Sequence, residues 1–433
     1  MNTAAPKLKP MPRQPVPALE GSSNGLESKR ELGQFFTPPE VAGFIWDLLE
    51  VIRGDRFPPD TRVIDPACGE GVFLRVARER GRLLSKCLFG ADIDQTLAPG
   101  WRRDQHLHGA SLLTANGLLD DPQAGIEEGT FNLVVGNPPF SGKGLRDLLR
   151  LLEAPEADAL HQEQDLFGAT CLKEAAAPSQ PLSTDERAAL ERLVRTLSQY
   201  ACWRLETEPE LVEEAETELV RAPSELFAPA ALFDRRRPTA SDYEKAAQFV
   251  AQCPANRPLD FARPEVRDAI RRLAATAIEV VFTERFVRLA KPGGLIAVIV
   301  PESIVASDRL GPFRTWLLGR MDLLASISLP QKVFTGVGAN AKTTIIFARR
   351  LTQDRTNGWY APSEGDELPE DDPPIFLAAP RLDAPGFSVE NYLARVLEDA
   401  RRDRASFWSD ATSSSAILDW RQHAKETNKV SCN

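Results

Sequence analysis

An α/β fold built on a mostly parallel sheet is predicted by three features of this 433-residue chain. Short apolar runs alternate with stretches of helical periodicity, the pattern of strand–helix–strand units. Several of the runs end on a polar residue, and open parallel sheets bind their ligands outside the carboxyl ends of the strands. A glycine-containing turn, Asp65-Pro66-Ala67-Cys68-Gly69-Glu70-Gly71, joins the first run to a helix.

Residues 1–30 are rich in Pro, Ser, Gly and Lys and bury too little to offset ordering entropy, so a disordered tail is expected. Behind Pro38-Pro39-Glu40, the spacing of Val41, Phe44, Ile45, Leu48, Leu49 and Ile52 predicts an amphipathic helix. Residues 62–65 read as a strand, followed by the glycine turn and a helix through Arg80. Residues 87–92 and 131–136 are the next apolar runs, the latter ending at Asn137-Pro138-Pro139-Phe140.

Residues 141–265 then read almost wholly helical, with breaks near Pro178, Pro209, Pro223 and Pro238, and look like an insertion. One long helix is predicted over 266–289, then the Lys291-Pro292-Gly293-Gly294 turn and a strand over 295–300. Runs at 323–329 and 343–348 flank a Gly-rich connection and suit a hairpin. Residues 375–377 and a helical stretch over 389–404 conclude the pattern. The expected organisation is therefore a tail (1–30), a first part of the main domain (31–140), an acidic helical insertion (141–265), a second part (266–385) and a C-terminal helical tail (386–433).

The formal charge is −10, the wrong sign for a chain that must grip a polyanion alone. The imbalance is local: residues 151–265 hold 22 Asp/Glu against 12 Lys/Arg, and the rest of the chain sums to zero. Six cysteines (Cys68, Cys87, Cys171, Cys202, Cys253, Cys432) lack metal-ligand spacing and only four histidines accompany them, so reduced thiols, a cytoplasmic protein and no metal site are expected. No apolar run reaches the roughly 18 residues of a membrane span, and the N-terminus lacks a signal-peptide layout, so neither membrane nor export is expected.

In the Asp65 turn, small residues let the backbone approach a ligand, and the following helix N-terminus favours a carboxylate. A glycine turn serving only the fold gives the same pattern. Asp92, ending the second run, stands where an acid binds ribose hydroxyls, with Asp94 as competitor and a solvated loop acid as the plain alternative. Together these features favour a nucleoside ligand carrying an amino-acid end, which S-adenosylmethionine fits.

Asn137-Pro138-Pro139-Phe140 adds the decisive chemistry, although Asn-Pro-Pro is also an ordinary turn. An amine conjugated to a ring is a poor nucleophile, because its lone pair is delocalised. Acceptors at the Asn137 side chain and the Pro138 carbonyl can draw its two protons and localise that pair. The prolines, Pro139 included, stiffen the backbone. Phe140 offers a face on which an extruded base stacks, since the target nitrogen is inaccessible inside a duplex. Direct displacement needs no His or Cys nucleophile.

These linked motifs, preceded by Gly33-Gln34-Phe35-Phe36-Thr37-Pro38, resemble the gamma-class N6-adenine DNA methyltransferases, and among them the modification subunits of type I restriction-modification systems. The resemblance covers roughly residues 30–140 and 266–385. It implies a Rossmann-like class I S-adenosylmethionine-dependent methyltransferase fold, a mostly parallel seven-stranded sheet with a terminal antiparallel hairpin and a helical insertion. By the same resemblance Gln34, Phe35, Phe36, Thr37 and Pro38 cover the cofactor's methionine moiety, while Ala67, Cys68 and Gly69 contact the cofactor backbone, with Asp65 and Gly71 of the same turn also binding it. Asp92 holds the ribose, with Ile93 beside it, and Asn137 borders the cofactor. Asn116 occupies a place where many relatives carry an Asp that contacts the adenine. Phe334, before Thr335-Gly336-Val337-Gly338, matches the family's Phe that lies against the target base; a core aromatic at the start of a hairpin reads the same way.

The expected partner is double-stranded DNA. Only about 85 residues follow Arg350, little for an independent reader of base edges, and the block 151–265 should be repelled by phosphate. A separate specificity subunit is therefore expected, with a nuclease or translocase subunit in the same restriction or phage-defence system. The acidic block is either a solvated decoration or a dock for a basic partner. Rival readings are methyltransferases of protein glutamine or of RNA guanine, which share Asn-Pro-Pro-aromatic motifs, and an inactive methyltransferase-fold scaffold.

Overall fold

The computed structural model describes residues 37–140, 145, 183–200, 202–203, 240–254, 256–334, 342–354, 374–380, 382 and 387–408. The expected tail, Gln34, Phe35, Phe36, the four proline breaks and the Gly-rich connection after Phe334 lie outside the described residues.

Helix α1 (Pro39–Arg53) forms where the 3.6-residue stripe predicts it, and Gly54 stops it: at φ 87° its N–H turns back to the Glu50 and Val51 carbonyls. Then come β1 (Val63–Asp65), α2 (Val72–Glu79), β2 (Leu88–Asp92), α3 (Ala98–Arg103), β3 (Ser111–Thr114) and β4 (Phe131–Gly136). Within the acidic block lie α4 (Thr184–Leu197) and α5 (Ala240–Gln252). They are followed by α6 (Pro264–Ala275), α7 (Ile278–Leu289), β5 (Ala290–Pro301), α8 (Glu302–Ala306), α9 (Gly311–Leu318), β6 (Met321–Leu329) and β7 (Thr343–Arg350). Strand β8 (Phe376–Ala378) and helices α10 (Val389–Arg402) and α11 (Arg404–Phe407) complete the described chain.

The strands form one eight-stranded sheet in the order β3-β2-β1-β4-β5-β7-β6-β8. Every pairing is parallel except those of β7, which slots antiparallel between β5 and β6. Seven parallel strands interrupted once by this hairpin strand give the Rossmann-like arrangement of class I methyltransferases. The eighth strand, at 376–378, lies parallel to β6 and satisfies backbone groups its edge would otherwise expose.

Alternation along β5 divides the core. Ile296, Val298 and Val300 face the cluster built with α4, α5, α6 and α7. Leu295, Ala297 and Ile299 face the cluster built with α1, α2 and α10. The described helices of the acidic block therefore bury Leu193, Val194, Leu197, Ala247 and Val250 in the same core as the sheet.

The single helix expected over 266–289 is two. Thr276 is extended, with its Oγ1 donating to the Arg272 carbonyl at 2.9 Å, and Ala277 at ψ 135° starts α7 afresh. The two halves have different surroundings. Helix α6 buries one stripe, Val266, Ala269, Ile270 and Leu273, whereas α7 is buried on every side from Val280 to Val287. Continuous apolar periodicity hid that change. The Lys291-Pro292-Gly293-Gly294 turn is a bulge within β5 between its pairings at Phe131 and Leu133.

Candidate functional site

The strand order reverses between β1 and β4, and the motif residues gather at the carboxyl ends of the strands there. Asp65 ends β1 and is 1% exposed. Its Oδ1 accepts the Ala67 N–H at 3.1 Å. Burial pushes its carboxyl up to about 8; the Ala67 N–H opposes that shift and neighbouring Asp92 adds to it.

The turn is tied to β2 at two points. The Cys68 N–H reaches the Ala91 carbonyl at 2.9 Å, and the Gly69 N–H reaches Asp92 Oδ2 at 2.8 Å. Gly71 takes φ 80°, a conformation that disfavours any side chain, and a Cβ there would lie 2.7 Å from Leu107. Burial, then the charges of Asp65 and Asp92, push the Cys68 thiol well up, so it is no nucleophile near neutral pH.

The other Asp92 oxygen accepts the Asp94 N–H at 3.0 Å. Asp94 itself caps a short turn, taking the Thr96 N–H and hydroxyl at 2.9 and 2.6 Å. Of the two acids, Asp92 is therefore the one joined to the glycine turn. Beside it Ile93 stands 59% exposed, one of few large apolar side chains in that position among the described residues. In the loop after β3, Asn116 Oδ1 accepts the Leu118 N–H at 3.0 Å, which leaves its amide nitrogen as the donor it can offer a ligand.

Gly136 joins this turn to the Asn-Pro-Pro-Phe segment. A Cβ at Gly136 would lie 2.5 Å from Asp65 Oδ1 and 3.0 Å from Phe286. Asn137 thus begins immediately above the Asp65 carboxyl, with Pro138 buried and Pro139 partly so. Phe140 is 1% exposed. Thr37 is buried and Pro38 opens α1, its carbonyl accepting the Val41 and Ala42 N–H groups.

Phe334 is the second aromatic expected against the target base. It is 0% exposed, as covered as Phe140, and packs in the α1 and α10 side of the core with Leu329 and Phe347. A hairpin-start aromatic needs an apolar anchor, and burial of the ring supplies it.

Two positioning residues escaped the sequence reading. Trp101 donates from Nε1 to the Gly69 carbonyl at 2.8 Å and so fixes the turn from α3. Arg285, 0% exposed on α7, donates to the Gly117 and Leu119 carbonyls at 3.1 and 3.0 Å. A lone Trp in a weakly periodic stretch and an Arg in a helix both read as ordinary surface residues until partners appear. Among the described residues no group of three or more His, Cys, Asp or Glu could hold a metal, and no helix is long and apolar enough to cross a membrane.

Residues 22–159 match the N-6 DNA Methylase family model. The chain is 32% identical over 126 residues to the type II methyltransferase M.TthHB8I of Thermus thermophilus, a match covering 29% of this chain and 24% of that protein. A putative class I S-adenosylmethionine-dependent methyltransferase from Listeria monocytogenes is similar in structure at 13% identity, over 89% of this chain and 76% of that one, with a TM-score of 0.42. The modification subunit of a putative type I restriction enzyme from Vibrio vulnificus is similar at 15% identity, over 76% and 47%, with a TM-score of 0.38. The sheet order carries the fold assignment independently of these likenesses. The matched stretch, residues 22–159, holds the Asp65 turn, Asp92 and the Asn-Pro-Pro-Phe segment.

Proposed function

We propose that this protein transfers a methyl group from S-adenosylmethionine to the N6 amine of an adenine extruded from double-stranded DNA, within a multi-subunit restriction-modification or phage-defence system. The observation that carries this reading is the junction at Gly136, which sets the Asn137-Pro138-Pro139-Phe140 segment directly on the Asp65 turn.

The site fits the cofactor. Gly69 and Gly71 keep the turn open to a ligand's close approach. Asp92 offers carboxylate lone pairs to ribose hydroxyls, and exposed Ile93 offers an apolar surface to a purine. S-adenosylmethionine brings an electrophilic methyl group. This chain's part is to position the amine. Asn137 Oδ1 and the Pro138 carbonyl accept its two hydrogens and turn its lone pair outward. Phe140 stacks on the base once the ring is uncovered, in keeping with the requirement that such enzymes take the base out of the stack.

Acidic segments do not bind a duplex, so sequence choice and much of the DNA affinity belong to a separate specificity subunit, with a nuclease or translocase subunit as a further associate.

The test is to express the chain with its genomic neighbours and map N6-methyladenine in host DNA, for wild type, for Asn137→Ala and with each neighbour deleted. Methylation at one motif that disappears in Asn137→Ala, and depends on a neighbour, is the expected result. No modified adenine in any combination overturns the reading; cofactor binding then separates a protein-glutamine or RNA methyltransferase from an inactive scaffold.

A further inference from the structure

We infer that the turn following α4, carrying Gln199, Tyr200 and Trp203, is a buttress for the cofactor loop after β3, acting through Arg285 as a positioning residue. This rests on the methyltransferase reading above and adds a role for the acidic block within it.

The connection is continuous and mostly buried. Tyr200, three residues beyond α4 and 1% exposed, donates its hydroxyl to Glu128 Oε1 at 2.8 Å. Arg285 meets the same Glu128 oxygen at 3.2 Å and the Tyr200 hydroxyl at 3.4 Å. Its remaining donors reach Asp120 at 2.7 Å and the Gly117 and Leu119 carbonyls. Burial alone would make this cation less stable, but Tyr200, Asp120 and Glu128 outweigh it and hold the guanidinium charged.

The far end of the chain of contacts is the cofactor turn. Gly117 sits so close to Pro66 that a Cβ on it would lie 1.7 Å from the Pro66 carbonyl oxygen, a backbone contact with no flexible side chain to give way. Moving the Gly117 carbonyl therefore moves the loop against the turn that begins at Asp65. Asn116, the proposed adenine contact, is the preceding residue.

The segment is also clamped sideways to α7. Arg288 donates to the Gln199 carbonyl at 3.0 Å and lies over the Tyr200 ring at 4.6 Å, while Trp203 donates to Glu284 at 2.7 Å. A decoration free in solvent would not engage two arginines of one helix of the cofactor domain through Gln199 and Tyr200 and commit Trp203 to the same helix. Loosening this segment is thus expected to weaken cofactor binding without altering the amine-holding residues.

The test uses the full chain with Tyr200→Phe and Arg285→Lys, and Val396→Ala in α10 on the opposite face as a control for lost stability. Binding of S-adenosylhomocysteine is measured by calorimetry, thermal unfolding is followed without ligand, and amide exchange is read over residues 113–121. The expected result is a dissociation constant raised about threefold in Tyr200→Phe and about tenfold in Arg285→Lys, with faster exchange in the loop. Val396→Ala should unfold at lower temperature yet bind as wild type. KM for S-adenosylmethionine should rise in both test variants while kcat holds. Wild-type affinity in both variants, or weakening that tracks unfolding temperature equally in Val396→Ala, overturns the inference. A wild-type protein that binds no S-adenosylhomocysteine at all overturns the methyltransferase reading together with it.

Discussion

At Gly136 a hydrogen fits and a methyl group does not, because Asp65 and Phe286 close on the position from two sides. Asp65 is itself held without a cationic partner among its shifting influences, and burial raises its carboxyl to about 8 from an ordinary 3.8. The folded protein then keeps a proton that the unfolded chain releases. Its stabilising contribution is complete below the unfolded value and is lost as pH rises through the folded one. Ligand-free stability measured by urea unfolding should therefore fall from about pH 4 to about pH 8, by at most about 1.4 kcal/mol per pH unit. Asp65→Asn should remove that part of the slope; an unchanged slope in the variant would show that another group carries it. Among the candidate residues, the placing of Asp92 and the glycine turn at strand ends was legible from spacing, but the contact of Trp101 was not, since it depends on the Gly69 carbonyl arriving from another element.

Helix boundaries show what local chemistry can and cannot fix. Helix α4 starts with a capping box: Ser183 Oγ accepts the Glu186 N–H and the Glu186 carboxylate accepts the Ser183 N–H. Ser183→Ala should cost about 1 kcal/mol and speed amide exchange in the first turn of α4. Unaltered exchange there would mean that packing of Leu193, Val194 and Leu197 alone sets the helix start. The break between α6 and α7 was invisible by comparison. Both halves carry apolar residues at helical spacing, and only α7 lies against β4 and β5, which forces its change of surroundings. Strand β3 was missed because it is a partly exposed edge with only Leu112 and Leu113 as apolar content.

For the whole molecule, charge and topology argue together. If the proposed function holds, a chain of net charge −10 should bind DNA weakly on its own. From 50 to 200 mM salt, fluorescence anisotropy with a labelled duplex should show less than about a tenfold loss of affinity for the isolated chain, because few phosphates are neutralised. Tight binding with a steep salt dependence by the isolated chain would remove the need for a separate specificity subunit. The sheet places the reversal of strand order between β1 and β4, so the two motifs that touch at Gly136 come from strands adjacent in space and distant in sequence.

The sequence by itself determined the alternation of strands and helices, the acidic character of one segment, the glycine turn with its acid, and the Asn-Pro-Pro-Phe segment. Each of these depends on periodicity, backbone permissiveness or side-chain type, which are local properties. Only the tertiary structure decided that Phe334 is a core residue, that β7 runs between β5 and β6, and that an arginine of α7 holds the loop after β3. Those outcomes depend on which surfaces meet. Burial and hydrogen-bond partnership are set by residues far apart in the chain, and a single sequence records them only as ordinary apolar or charged positions.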